Sequence, residues 1–185
     1  ALRTFTERSR ACRILLEAVA RNLPRSEVAD QMCMFSELDA DNNGVVDYEE
    51  LRLAVQKVHP ELGDQEVRCL FRGIDVDDSG HIDMTEFVAA TIPSLTPKRQ
   101  EELIRTSFLR LDRTGSGFIP KEELMHALCQ GLGRDQNSCE QAEIETQLEA
   151  MDSNKDGKIS VEEFQCAVVD QDMRLFSGEQ SWVAS

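Results

Sequence analysis

Residues 39–50 read DADNNGVVDYEE, and the chain returns to the same pattern three more times: DVDDSGHIDMTE at 75–86, DRTGSGFIPKEE at 112–123 and DSNKDGKISVEE at 152–163. Each stretch opens on Asp, carries Gly at its sixth place and an aliphatic residue at its eighth, and closes on Glu at its twelfth. Their first residues lie 36, 37 and 40 positions apart. A near-constant period of this size marks a repeated supersecondary unit.

The flanks of each stretch are helical in rhythm. Val28, Met32, Phe35 and Leu38 precede the first at spacings of three and four, and Val67, Leu70, Phe71 and Ile74 precede the second. Leu103 or Ile104, Phe108 and Leu111 lead into the third, and Ile144, Leu148 and Met151 into the fourth. Apolar residues follow each stretch at the same intervals, from Leu51, Phe87, Leu124 and Phe164 onward. Each unit is therefore helix, twelve-residue loop, helix, and the predicted class is all-α.

That loop has the spacing of an EF-hand. Calcium takes six to eight oxygens, which such a loop supplies from places 1, 3, 5, 7, 9 and 12, with Gly at 6 for the turn. The candidate ligands of the first loop are Asp39, Asp41, Asn43, the carbonyl of Val45, Asp47 through water, and Glu50. Those of the second are Asp75, Asp77, Ser79, the carbonyl of His81, Asp83 and Glu86. Those of the fourth are Asp152, Asn154, Asp156, the carbonyl of Lys158, Ser160 and Glu163. Acidic turns between helices are the bland alternative, but three full matches at one period favour calcium. Magnesium, which seldom uses an all-protein cage, fits less well. The third loop departs from the pattern: Thr114 stands at place 3, Ser116 at place 5 and Pro120 at place 9, leaving Asp112 and Glu123 as its carboxylates. Three calcium sites are expected, and a fourth, at 112–123, is left open. Val46 with Ile82, and Ile119 with Ile159, are expected to pair as short β-bridges joining the loops two by two.

The expected organisation is a basic helix over 1–24, a lobe over 25–92, a linker over 93–97, a second lobe over 98–170 and a tail over 171–185. Pro93 and Pro97 interrupt the helical pattern at the linker, with Thr96 as N-cap of the next helix. Residues 1–25 carry Arg3, Arg8, Arg10, Arg13, Arg21 and Arg25 against Glu7 and Glu17, in a chain of 185 residues with net charge −15. Phe5, Cys12, Leu16, Val19 and Leu23, with Leu15, form an apolar face, and Pro24 ends the helix. A basic amphipathic helix ahead of an acidic body reads as a built-in target for the opened lobes. The tail, with Met173, Phe176 and Trp182, reads as a frayed terminus.

The acidic balance argues against nucleic acid as a partner. The six cysteines form no CxxC pair and, lying mostly in apolar helical patterns, read as reduced, small apolar residues of a cytoplasmic protein. No apolar run approaches a membrane span. The chain opens on Ala1 rather than Met, which reads as a piece of a longer polypeptide. A monomer is expected.

The order LRTF…ACRILLEAVARNLP, DADNNG and EFVAATI (86–92) resembles the regulatory region of the calcium-dependent protein kinases of plants and protists. The resemblance covers roughly residues 1–170. It implies a junction helix at 1–24 that contacts a kinase domain in cis, and calcium-driven relief of inhibition of a serine/threonine kinase. The chain itself carries no glycine-rich phosphate loop, HRD or DFG, so no catalytic residue is expected in it. A free-standing sensor similar to calmodulin or centrin, or a calcium buffer, are the rival readings.

Overall fold

The structure, a computed structural model, describes residue 6, residues 8–131 and residues 138–169. Phe5, the connection at 132–137 and the tail with Trp182 lie outside the described residues. The elements in chain order are α1 (Arg10–Arg21), α2 (Ala29–Leu38), α3 (Tyr48–Val58), α4 (Asp64–Ile74), α5 (Met84–Thr91), α6 (Pro97–Leu111), β1 (Phe118–Pro120), α7 (Lys121–Gly131), α8 (Ser138–Met151), β2 (Lys158–Ser160) and α9 (Val161–Val169).

The four loops are joined in pairs at their eighth residues. Val46 and Ile82 exchange both backbone hydrogen bonds, at 2.8 and 2.9 Å. β1 and β2 run antiparallel with Ile119 opposite Ile159. All four side chains are buried, so each bridge also seals the end of a core. The helices repeat this two-fold logic. Phe35, entering the first loop, meets Phe87, leaving the second, edge to face at 5.6 Å. Phe108 and Phe164 make the equivalent contact at 5.5 Å in the second pair of loops. T-shaped aromatic contacts of this kind add to area burial.

Helix α1 is where the sequence expectation needs correcting. Its described length ends at Arg21, before Pro24, and Asn22 closes it by donating its side-chain amide to the carbonyl of Ala18 at 2.8 Å. Nor does it bury one face only. Ile14, Leu15, Leu16, Glu17, Ala18, Val19 and Ala20 are consecutive and all buried. The reason is tertiary. α1 packs chiefly along α5 and also touches α6, α7, α8 and α9, so helices of both loop pairs surround it. Ala89 and Ala90 of α5 are completely buried, and their small side chains let a neighbouring helix lie close. The cysteines need correcting too. Cys12 is buried and Cys129 half-buried, but Cys33, Cys69 and Cys166 are exposed, so only a minority of the described thiols act as core residues. They lie on the solvent side of helices whose apolar faces are formed by their neighbours.

Candidate metal centres

Each loop is closed by its own first residue. Asp39 accepts from the backbone N–H of Asn43 at 3.0 Å and of Gly44 at 2.9 Å. Asp75 accepts from Ser79 and Gly80 at 2.9 and 3.0 Å, and Asp152 from Asp156 and Gly157 at 3.1 and 3.0 Å. The sixth residue takes φ of +91° at Gly44, +83° at Gly80 and +81° at Gly157, which is why Gly stands there. The fifth residue then fixes the seventh: Asn43 accepts from the N–H of Val45 and Asp156 from that of Lys158, while Ser79 donates its hydroxyl to the carbonyl of His81.

The twelfth residue ties the loop to its outgoing helix. Asp47 caps α3 by accepting from the N–H of Glu50, while Glu50 accepts from the N–H of Asp47, a reciprocal capping box. The other oxygen of Glu50 reaches back to the N–H of Ala40 at 2.9 Å. Asp83 and Glu86 repeat the box on α5, and Glu86 accepts from the N–H of Val76 at 2.8 Å. Glu163 does the same with the N–H groups of Ser160 and Ser153.

Carboxylates converge in the first two loops. Ligand oxygens of Asp39, Asp41 and Glu50 lie within 4.8 Å of one another, and so do those of Asp75, Asp77 and Glu86. The second cluster is the more enclosed. Burial, with Asp83 and Asp77 nearby, pushes Glu86 up to about 8, and burial also raises Asp75. Three carboxylate oxygen donors converging within one twelve-residue loop are the hard ligand set a divalent ion takes, so these residues fit calcium.

The other two loops differ. Asp112 binds the N–H of Gly117 and the hydroxyl of Thr114, so its own loop closes. Glu123, however, has neither of the anchors the other three glutamates use. Pro120 has no N–H at place 9, and the N–H of Arg113 turns to the carbonyl of Leu111. In the fourth loop, Lys121 places its ammonium 2.8 Å from Oδ2 of Asp152 and holds that carboxyl below the ordinary range. Glu163 is also lowered, first by the N–H of Ser160.

Residues read in the sequence only as part of a basic helix make contacts at the second loop and at helix ends. Arg13 donates to the carbonyl of Gly73 at 2.5 Å, at the end of α4. Arg10 donates to the carbonyl of Val76 at 3.4 Å and pairs with Asp78 at 3.8 Å, both inside the second loop. Arg8 donates to the carbonyl of Val168 at 2.6 Å, at the end of α9. Glu17, paired with Arg21, is raised to about 7 by burial, with Asp83 and Asp77 adding to it. The basic charge of residues 1–25 was visible in the sequence; which loop would receive it was not.

No helix among the described residues is long and apolar enough to cross a membrane. Calcium-dependent protein kinase 16 of Oryza sativa subsp. japonica is 36% identical over 163 residues, 88% of this chain and 29% of the relative. Calcium-dependent protein kinase 9 of Arabidopsis thaliana is 34% identical over 169 residues, 91% of this chain and 30% of the relative. Calcium-dependent protein kinase 2 of Zea mays is 33% identical over 178 residues, 94% of this chain and 33% of the relative. The chain thus spans about a third or less of the length of these relatives. The EF-hand domain pair family matches residues 29–92 and 101–169, the two halves in which paired loops and their flanking helices were found, and the chain belongs to that family.

Proposed function

We propose that this chain is the calcium-sensing regulatory part of a serine/threonine protein kinase, with no catalytic role of its own. The observation that carries the reading is α1. A helix of basic flanks and apolar body is enclosed by helices of both EF-hand pairs, and Arg10 and Arg13 rest on the second loop and the helix leading into it. A calcium buffer has no use for such a helix. The similarity to calcium-dependent protein kinases over about nine-tenths of the chain supports placing a kinase domain in cis.

In this reading the lobes are 25–92 and 98–170, joined by 93–97, around the helix of 1–24. Asp39, Asp41, Asn43, Val45 and Glu50 hold one ion, Asp75, Asp77, Ser79, His81 and Glu86 a second, and Asp152, Asn154, Asp156, Lys158 and Glu163 a third. Calcium supplies a double positive charge that neutralises each set of carboxylates. Glu50, Glu86 and Glu163 stand in the first turns of α3, α5 and α9, so any change in their side chains is passed to a helix. α5 is also the main support of α1. Asp78 and the carbonyls of Gly73 and Val76 hold Arg13 and Arg10, so a change of charge in the second loop acts on α1 directly.

Moving a two-state population from ~1:99 to ~99:1 takes about 5.5 kcal/mol of differential affinity. Shared over three loops, that is under about 2 kcal/mol each, a modest demand. A cytoplasmic setting, as a monomer with free thiols, belongs to the same proposal. The test is phosphotransfer by the full-length polypeptide, in calcium and in chelator. Calcium stimulation that disappears with Glu50→Gln and Glu86→Gln is expected. A full-length polypeptide without phosphotransfer, or with phosphotransfer indifferent to calcium, would overturn the reading.

A further inference from the structure

The tenth place of the third loop lies just past the β-bridge, opposite the sixth place of the fourth loop. Lys121, at place 10 of the third loop, donates its backbone N–H to the carbonyl of Gly157 at 3.2 Å, one step beyond the Pro120–Lys158 pair. The equivalent residues elsewhere are Tyr48, Met84 and Val161, none of them a cation. Tyr48 turns its hydroxyl to Asp64 instead. Of these four, Lys121 is the residue that brings a positive charge across the bridge to the sister loop. Its ammonium sits 2.8 Å from Asp152, whose side chain is 1% exposed, and Glu149 and Asp156 are the next acids around it. Asp152 and Asp156 are candidate ligands at places 1 and 5.

We infer that Lys121 is a built-in attenuator of the fourth loop, a tethered cation from the damaged third loop that lowers the affinity of residues 152–163 for a divalent ion. This rests on the proposal that the fourth loop holds calcium. The physical ground is direct. An ammonium on a ligand carboxylate neutralises charge the loop would offer, and it repels a divalent ion at close range. Even at the dielectric of water, a unit charge about 4 Å from a divalent ion changes its affinity by at least on the order of tenfold. The third loop, with Glu123 unanchored, thereby keeps a role through Lys121: it sets the threshold of the loop beside it. The bridge geometry supplies the reach: place 10 is the residue just past the strand, and its backbone N–H is held on Gly157 of the sister loop.

The experiment uses the whole chain carrying Glu50→Gln and Glu86→Gln, so that calcium heats in calorimetry report the second pair alone. Glu163→Gln in that background identifies the heat of the fourth loop. Lys121→Met is expected to tighten that binding on the order of tenfold. Lys121→Arg, which keeps the charge, is expected to stay within about twofold of the parent. A second readout is the amide resonance of Gly157 in chelator, expected to shift in Lys121→Met and to hold in Lys121→Arg. If the Met variant loses helicity, Lys121→Gln replaces it with the same expectation. Unchanged affinity in the neutral variants, or equal tightening in the Arg variant, overturns the inference while leaving calcium binding intact. Absence of a fourth-loop heat in parent and neutral variants alike overturns the calcium reading of that loop, and the inference with it.

Discussion

The two EF-hand pairs share one architecture and differ in how their charges are arranged. In the first pair the carboxylates of both loops converge, and burial raises Glu86 and Asp75. In the second pair Lys121 and a backbone N–H lower Asp152 and Glu163, and Glu123 is without its anchors. The helix between them is bound unequally as well. α1 lies chiefly along α5 of the first pair, with Arg10 and Arg13 on its second loop, while Arg8 reaches the end of α9. The difference teaches that a repeated fold does not imply a repeated job. The first pair gathers three carboxylates in each loop; in the second, Lys121 already meets one candidate ligand carboxylate from within.

The comparison can be broken most forcefully through the cores. Phe164 is fully buried in the second pair, and Phe164→Ala should cost about 3–5 kcal/mol. Leu16 is fully buried in α1, and Leu16→Ala should cost about 2–5 kcal/mol. Residue-resolved amide exchange separates them: loss of protection confined to the second pair for Phe164→Ala, but spread over both pairs for Leu16→Ala. Confinement of the Leu16→Ala effect to the first pair would mean that α1 does not join the two.

Next in size is ligand removal. Glu86→Gln should weaken calcium at the second loop by about two orders of magnitude, because it removes a charged oxygen from a buried set and ligand charge tunes affinity widely. Glu123→Gln should change calcium binding by no more than about twofold. Calorimetric titration of both variants checks the contrast, and equal effects would erase the asymmetry between the pairs.

The loops and the helices around them were legible in the sequence because they are local. Gly at place 6, Asp at place 1 and Glu at place 12 act on neighbours within twelve residues. The Val46–Ile82 and Ile119–Ile159 bridges followed from the same register. That the lobes would engage α1 was legible; that they would cover all its faces was not. Its run from Ile14 to Ala20 mixes small and large apolar residues with one carboxylate, Glu17, a pattern that amphipathic reading flattens into one stripe. The Lys121–Asp152 pair was not legible because place 10 is not a ligand position, and a side-chain contact across the bridge depends on where a long, flexible chain settles.

A pH effect should follow from Glu17. Its carboxyl is raised from 4.5 to about 7 by burial, so between those values the folded chain holds a proton that the unfolded chain has released. The stability this gives to the α1 contact is full below about pH 4.5, falls as pH rises, and is lost above about 7. Thermal melts in chelator from pH 5 to 8 should decline more steeply for the parent than for Glu17→Gln. Equal slopes would locate the pH dependence elsewhere.

The smallest expected effect lies in loop backbone. Lys155 takes φ of +57°, a region costly for a residue with a Cβ. Lys155→Gly should therefore stabilise the second pair by up to about 1 kcal/mol, read as a raised melting temperature. Asn42, at the matching place of the first loop with φ of +58°, is a residue type that tolerates this region. Asn42→Gly should accordingly gain less.

The central claim is that α1 is held by the EF-hand pairs in a manner that calcium changes. Hydrogen–deuterium exchange of the amides of residues 10–21, in chelator and in saturating calcium, tests it directly. The account predicts slow exchange in chelator, an acceleration of at least about tenfold in calcium, and loss of that acceleration in Glu86→Gln. Identical exchange in the two conditions, with calcium bound, would contradict it.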